Sequence, residues 1–180
     1  DTFGGDVVHT ARWSDDIETG QRRIAVIGTG STGVQVVSAL QREADTLTHF
    51  ARTPQWVIWA PMALRQPAVV SAALKRLPFV SRLVRTGQLW GSDILVDIVT
   101  RPSWRRGLVQ NCARWSLRAQ IRDRDLREQL TPDYQPLCKR QVLSGSYYRA
   151  ISAPNARLVT SAIERITPNG IRTADGREHD

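Results

Sequence analysis

A chain of 180 residues that is 41% hydrophobic and 23% charged is long enough to bury a core, and its composition excludes a disordered or fibrous protein. No apolar run approaches the roughly 18 residues of a membrane span, and the two cysteines, Cys112 and Cys138, are too few for a disulfide framework or a thiolate zinc site. The formal charge of +8 is concentrated: residues 61–130 carry 13 Arg and Lys against 5 Asp and Glu, while the remainder balances at 12 of each.

Residues 1–23 are polar and rich in turn formers, and read as an ordered linker. Ile24-Ala25-Val26-Ile27 then reads as a short strand buried on both faces, ending at Gly28. From Ser31 to Arg42 the pattern is helical, because Val34, Val37 and Leu40 recur at intervals of three and Ser31 or Thr32 is placed to cap the start. Thr46 to Ala51 reads as a second strand, so the order is strand, glycine turn, helix, strand. That is one βαβ unit with its two strands parallel.

Beyond Arg52 prolines punctuate a Leu-, Val-, Trp- and Arg-rich stretch, and helices are predicted over 68–77, 79–99 and 103–130, with Pro78 breaking or restarting the run. Two stripes are predicted to be core: Leu74, Leu77, Val80, Leu83 and Val84, then Trp104, Leu108, Cys112 and Trp115. The arginines of this stretch are expected to be solvated outer faces. Only Lys75 and Lys139 are lysines, which reads as composition rather than a nucleic-acid surface, so neither nucleic acid nor a membrane span is expected. Near the end Leu158-Val159-Thr160, Ile163 to Ile166 and Ile171 to Thr173 are predicted to form an antiparallel meander, turning at Pro168-Asn169-Gly170.

Gly28-Thr29-Gly30-Ser31-Thr32-Gly33 spells G-x-G-x-x-G directly after a strand and at the mouth of a helix. In such a turn the first glycine allows the tight bend, the second admits a pyrophosphate to the backbone, and the third lets helix pack on strand. Free amides and the helix dipole favour the negative charge. No Gly-Lys-Ser/Thr follows, which excludes a P-loop.

The second strand closes on Thr48-His49-Phe50-Ala51-Arg52-Thr53, without the acid that would bond a ribose 2′-hydroxyl. Arg52 instead offers a planar cation suited to a 2′-phosphate, so NADPH is favoured over NADH. No metal is expected, because His9, His49 and His179 lie far apart with no ligand spacing. The fold class is therefore α/β: a Rossmann-type parallel sheet over 24–180 with a large helical insertion at about 57–130 and a terminal antiparallel β-meander, preceded by the linker.

The segment Phe3 to Trp13 fits F-x-G-x-x-x-H-x-x-x-W, with Phe3, Gly5, His9 and Trp13 at the motif positions. It resembles the fingerprint of Baeyer-Villiger monooxygenases, which are flavin-dependent monooxygenases of class B. Two further stretches agree. Arg52-Thr53-Pro54-Gln55-Trp56 resembles the family segment whose Arg and Thr hold the NADPH 2′-phosphate, and Leu130 to Tyr134 with Cys138-Lys139-Arg140 resembles its late P-x-x-x-K-R region. Ser14 and Leu137 depart from the family pattern, which leaves relatives that oxygenate nitrogen or sulfur as an alternative.

The resemblance implies a monooxygenase dependent on NADPH and FAD, in which NADPH reduces FAD and a C4a-peroxyflavin inserts oxygen into a ketone to give an ester or lactone. Arg140 would be the catalytic cation beside the developing negative charge, and Lys139 would join Arg52 and Thr53 at the 2′-phosphate. His9 and Trp13 would govern domain orientation, whereas the residues alone read as a buried linker histidine and a core Trp. No glycine turn for FAD is present in the 180 residues. The expectation is thus an NADPH-binding domain, inactive alone, cytoplasmic, and working on a small-molecule substrate in the intact enzyme. A non-catalytic nucleotide-binding module is the alternative.

Overall fold

The computed structural model describes residues 3–14, 16–59, 68–139 and 141–180. Its centre is a parallel sheet in the order β1 (Arg23–Ile27), β2 (Thr46–Phe50), β5 (Ala156–Val159). The βαβ unit is as expected: Ile24 pairs with Leu47 and Ile27 with Phe50 in parallel register, and α1 (Ser31–Leu40) joins the two strands. Val34, Val37 and Leu40 turn inward together, which the interval of three dictates on a helix. With Leu47 they reach 8% exposure or less, and each such side chain contributes about 1.5–3 kcal/mol on burial.

The strand at Leu158-Val159 does not belong to the meander. Ala156–Val159 pairs parallel to β2 as a third sheet strand, and the meander consists of β6 (Ile163–Ile166), β7 (Ile171–Thr173) and β8 (Glu178–His179). Asn155 fixes the entry to β5: its amide donates to the carbonyls of Gln41 (3.0 Å) and Ala44 (2.9 Å), satisfying acceptors that the end of α1 leaves open. β1 also differs from expectation. It pairs only with β2 among the described residues, so Ala25 is exposed and Ile27 is 57% exposed rather than buried on both faces.

Between β2 and β5 the chain forms a short parallel pair, β3 (Val57–Ile58) with β4 (Val142–Leu143), and the helices α2 (Ala68–Arg76), α3 (Pro78–Thr100), α4 (Trp104–Gln120), α5 (Arg124–Gln129) and α6 (Tyr147–Ile151). Pro78 restarts the helix as expected, standing in the first turn of α3. The predicted helix at 103–130 is two: Ile121 leaves α-helical geometry and the Asp123 carboxylate caps α5 through the amides of Asp125 and Leu126. Both predicted core stripes are overturned. Leu77 (53%), Leu83 (63%), Trp104 (72%), Leu108 (54%) and Trp115 (72%) are exposed, Cys112 is exposed, and α3 buries no residue. Periodicity establishes that a helix has an apolar face, not that anything covers it. The core is drawn instead from Trp56, Val57, Leu117, Ile121, Tyr147, Tyr148 and Ile151 packed against α1 and β2.

Candidate nucleotide-binding site

The glycine turn lies where β1 ends. Gly28 has φ +117°, a conformation essentially reserved to glycine, and its amide donates to the Phe50 carbonyl at 3.1 Å. The turn is thereby tied to the last residue of β2. A Cβ at Gly33 would collide with the Gly28 carbonyl, so the third glycine is required for the helix to start this close to the strand. At Gly30 an added Cβ would meet no protein atom within 4 Å. That open space is what a phosphate approaching the backbone needs.

Ser31 and Thr32 do not cap α1. Gly30 is the cap residue, and no side chain bonds the first amides. The first intrahelical bond runs from the Val34 amide to the Gly30 carbonyl (3.1 Å), so the preceding amides of Ser31, Thr32 and Gly33 come before the helical ladder begins. No acid stands in this first turn. Uncapped amides, the positive end of the dipole and free space together suit an anion.

Arg52 and Thr53 leave β2 at the same end of the sheet, because Ile27 and Phe50, the last residues of β1 and β2, are register partners. Arg52 is exposed and Thr53 half-buried. The structure also brings Lys139 to this loop, through Tyr134. The Lys139 ammonium sits 4.2 Å from the centre of the Tyr134 ring, and the Tyr134 hydroxyl donates to Gln55 Oε1 at 2.7 Å. Trp56 adds a second tie, its indole N–H donating to the Tyr134 carbonyl at 2.7 Å. Burial raises the Tyr134 phenol above its ordinary value, which keeps the hydroxyl a donor. Arg140, the residue carried over as catalytic, lies outside the described residues.

No protein-family model matches the chain. A Baeyer-Villiger monooxygenase of Streptomyces coelicolor is 40% identical over 180 residues, covering 99% of this chain and 34% of that protein. One from Pseudomonas aeruginosa is 34% identical over 181 residues, covering 100% and 34%. This chain is homologous to Baeyer-Villiger monooxygenases. It spans about a third of the length of these curated relatives. Among solved structures, an oxidised steroid monooxygenase bound to NADP superposes with a TM-score of 0.76 at 25% identity, covering 99% of this chain and 40% of that one. A cyclohexanone monooxygenase from Rhodococcus sp. Phi1 bound to NADP+ gives 0.76 at 23%, with 99% and 40% covered, a likeness of fold.

The segment from Phe3 to Trp13 packs along β1. Phe3, Gly5 and Trp13 line a cleft of about 740 Å³ that runs past Ile24, Ala25 and Ile27 of β1 to the meander turn at Pro168. The Gly4 amide donates to the Pro168 carbonyl (2.9 Å), which docks the linker on that turn. Neither aromatic group is a core residue: His9 is exposed and accepts the Ala11 amide at 3.2 Å, capping a single 3-10 turn over Thr10–Arg12, and Trp13 is 42% exposed.

Sequence reasoning missed Tyr134, Gln55 and Trp56 as the ties that join Lys139 to Arg52, and the pair His49 and Tyr147 beneath the turn. An aromatic within five residues of each cationic stretch was the available signal. His49 showed only as a lone histidine in an apolar strand.

Proposed function

We propose that this chain is the NADPH-binding segment of a FAD-dependent Baeyer-Villiger-type monooxygenase, with residues 1–23 as linker and 24–180 as the binding domain carrying a helical insertion at about 57–130. The observation that carries the reading is the uncapped start of α1, open in front of Gly30, at the same sheet end as Arg52. Ligands of open α/β sheets sit at the carboxyl ends of the strands, where both features stand.

Bound at this site, NADPH would supply a hydride for a flavin, and the flavin would supply oxygen transfer to a small-molecule ketone. The chain's own part is binding and orientation. The amides from Thr29 to Gly33 hold the pyrophosphate, and the first turn of α1 offers it no competing carboxylate. Arg52, Thr53 and Lys139 neutralise the 2′-phosphate, with Tyr134 setting the position of the ammonium. Arg140 is proposed as the fixed cation beside the negative charge that develops during oxygen transfer.

The test is a titration of NADPH and NADH against the wild type and Arg52→Ala. A charged hydrogen bond is worth about ten- to a hundredfold in affinity, so NADPH binding falls by that factor while NADH binding is little changed. An unchanged ratio of the two affinities rejects the reading.

A further inference from the structure

His49 is an anomaly in its strand. It stands in β2 between Thr48 and Phe50 at 0% exposure, where an apolar residue would cost nothing to bury. A fully buried imidazole is tolerated only when both ring nitrogens find partners, and here they do. Nε2 lies 2.8 Å from the Gly28 carbonyl oxygen and Nδ1 lies 3.1 Å from the Tyr147 hydroxyl.

The partners decide the tautomer. A carbonyl oxygen can only accept, so the proton is on Nε2 and Nδ1 presents a lone pair. Tyr147 therefore donates to Nδ1. Tyr147 is 4% exposed, and burial holds its phenol far above the ordinary range, so it stays a donor. The direction of the chain is fixed: Tyr147 O–H to His49 Nδ1, then His49 Nε2–H to the Gly28 oxygen.

We propose that His49 is a positioning residue for the glycine turn, aiming the peptide between Gly28 and Thr29 at the dinucleotide pyrophosphate through its hydrogen bond to the Gly28 carbonyl. A trans peptide is planar with C=O and N–H on opposite sides. Pinning the Gly28 oxygen inward onto His49 therefore turns the Thr29 N–H outward, into the mouth of the turn. The other side of the same oxygen is closed by Gly33, where a Cβ would collide with it. Gly28 also gives its amide to Phe50, so β2 grips both polar groups of the first glycine, through Phe50 and His49. Tyr147 extends the grip to α6, which makes the turn answer to an element 98 residues from His49 in the chain.

The inference rests on the nucleotide reading proposed above, and the experiment separates the two. NADP+ and adenosine 2′-monophosphate are titrated against the wild type, His49→Val, His49→Gln and Tyr147→Phe; only the first probe carries the pyrophosphate. His49→Val is expected to weaken NADP+ about tenfold and leave adenosine 2′-monophosphate unchanged. His49→Gln, which keeps a donor toward Gly28, restores most of the NADP+ affinity, and Tyr147→Phe gives a smaller loss confined to NADP+. Equal loss of both probes in His49→Val, or no loss, overturns the role, as does failure of Gln to restore binding. Should His49→Val not fold, an unchanged NADP+ affinity in Tyr147→Phe overturns it. Independently of ligand, 15N shifts of the free chain must report the Nε2–H tautomer at His49; the Nδ1–H form overturns it. A wild type that binds neither probe sinks the nucleotide reading itself.

Discussion

Trp56 and Tyr134 meet across 78 residues of chain, the indole N–H of one donating to the carbonyl of the other at 2.7 Å. The bond fastens the loop that carries Arg52 to the segment that carries Lys139. Trp56→Phe keeps most of the buried ring and removes the donor. Unfolding free energy should fall by about 1–2 kcal/mol in urea titration. NADPH affinity should drop a few-fold with NADH affinity held, because only the 2′-phosphate reads the relation between the two cations. Equal losses for both coenzymes would reject this coupling.

Two glycines of the turn separate stability from binding. Gly30 has β-region backbone angles (φ −67°, ψ 176°) and open space at its Cβ, and serine is a better helix cap than glycine. Gly30→Ser should hold or raise the melting temperature while its hydroxyl occupies the amides and weakens NADPH. Gly33→Ala does the opposite in kind. The new methyl meets the Gly28 carbonyl, and overpacking against backbone costs about 1–3 kcal/mol. Thermal melts with coenzyme titrations check both, and a stable Gly33→Ala would sink the close-approach argument.

The βαβ unit was legible because three independent signals coincide within Ile24 to Phe50: an apolar run, glycines at fixed offsets, and an interval of three along Val34, Val37 and Leu40. β5 was misassigned for a physical reason. Four residues such as Ala156–Val159 satisfy either sheet, and the choice was made by Asn155 bonding the end of α1, a contact 111 or more residues distant. The exposed stripes of α3 and α4 were unreadable for the converse reason, since an apolar face is written in sequence but its cover is not. At the site, Arg52 and the glycines were legible as residue types; Tyr134 and His49 were not, because their roles exist only through contacts with Gln55 and Gly28.

The exposure of α3 predicts indifference. Phe79 is 76% and Trp90 69% exposed, and surface substitutions away from special features change stability by no more than about 0.5 kcal/mol. Trp90→Ser and Phe79→Ser should therefore leave the urea midpoint of this chain nearly unmoved. A loss comparable to a core truncation, about 3–5 kcal/mol, would show that α3 packs in solution.

Stability should also carry the signature of His49. Desolvation lowers its folded pKa below the ordinary 6.5, outweighing the opposing bond to Gly28. The unfolded chain then binds a proton more readily than the folded one, so folding stability is complete above about pH 6.5 and is lost as pH falls below that value toward the folded pKa. Protonation would also put a proton on Nδ1, where Tyr147 must donate. Melting temperatures recorded between about pH 5 and 8 should fall on the acid side in the wild type and fall less in His49→Gln, which has no titrating group there. Parallel curves for the two proteins would mean that the imidazole is protonated as easily inside the fold as outside it, which its two bonded nitrogens and complete burial do not allow.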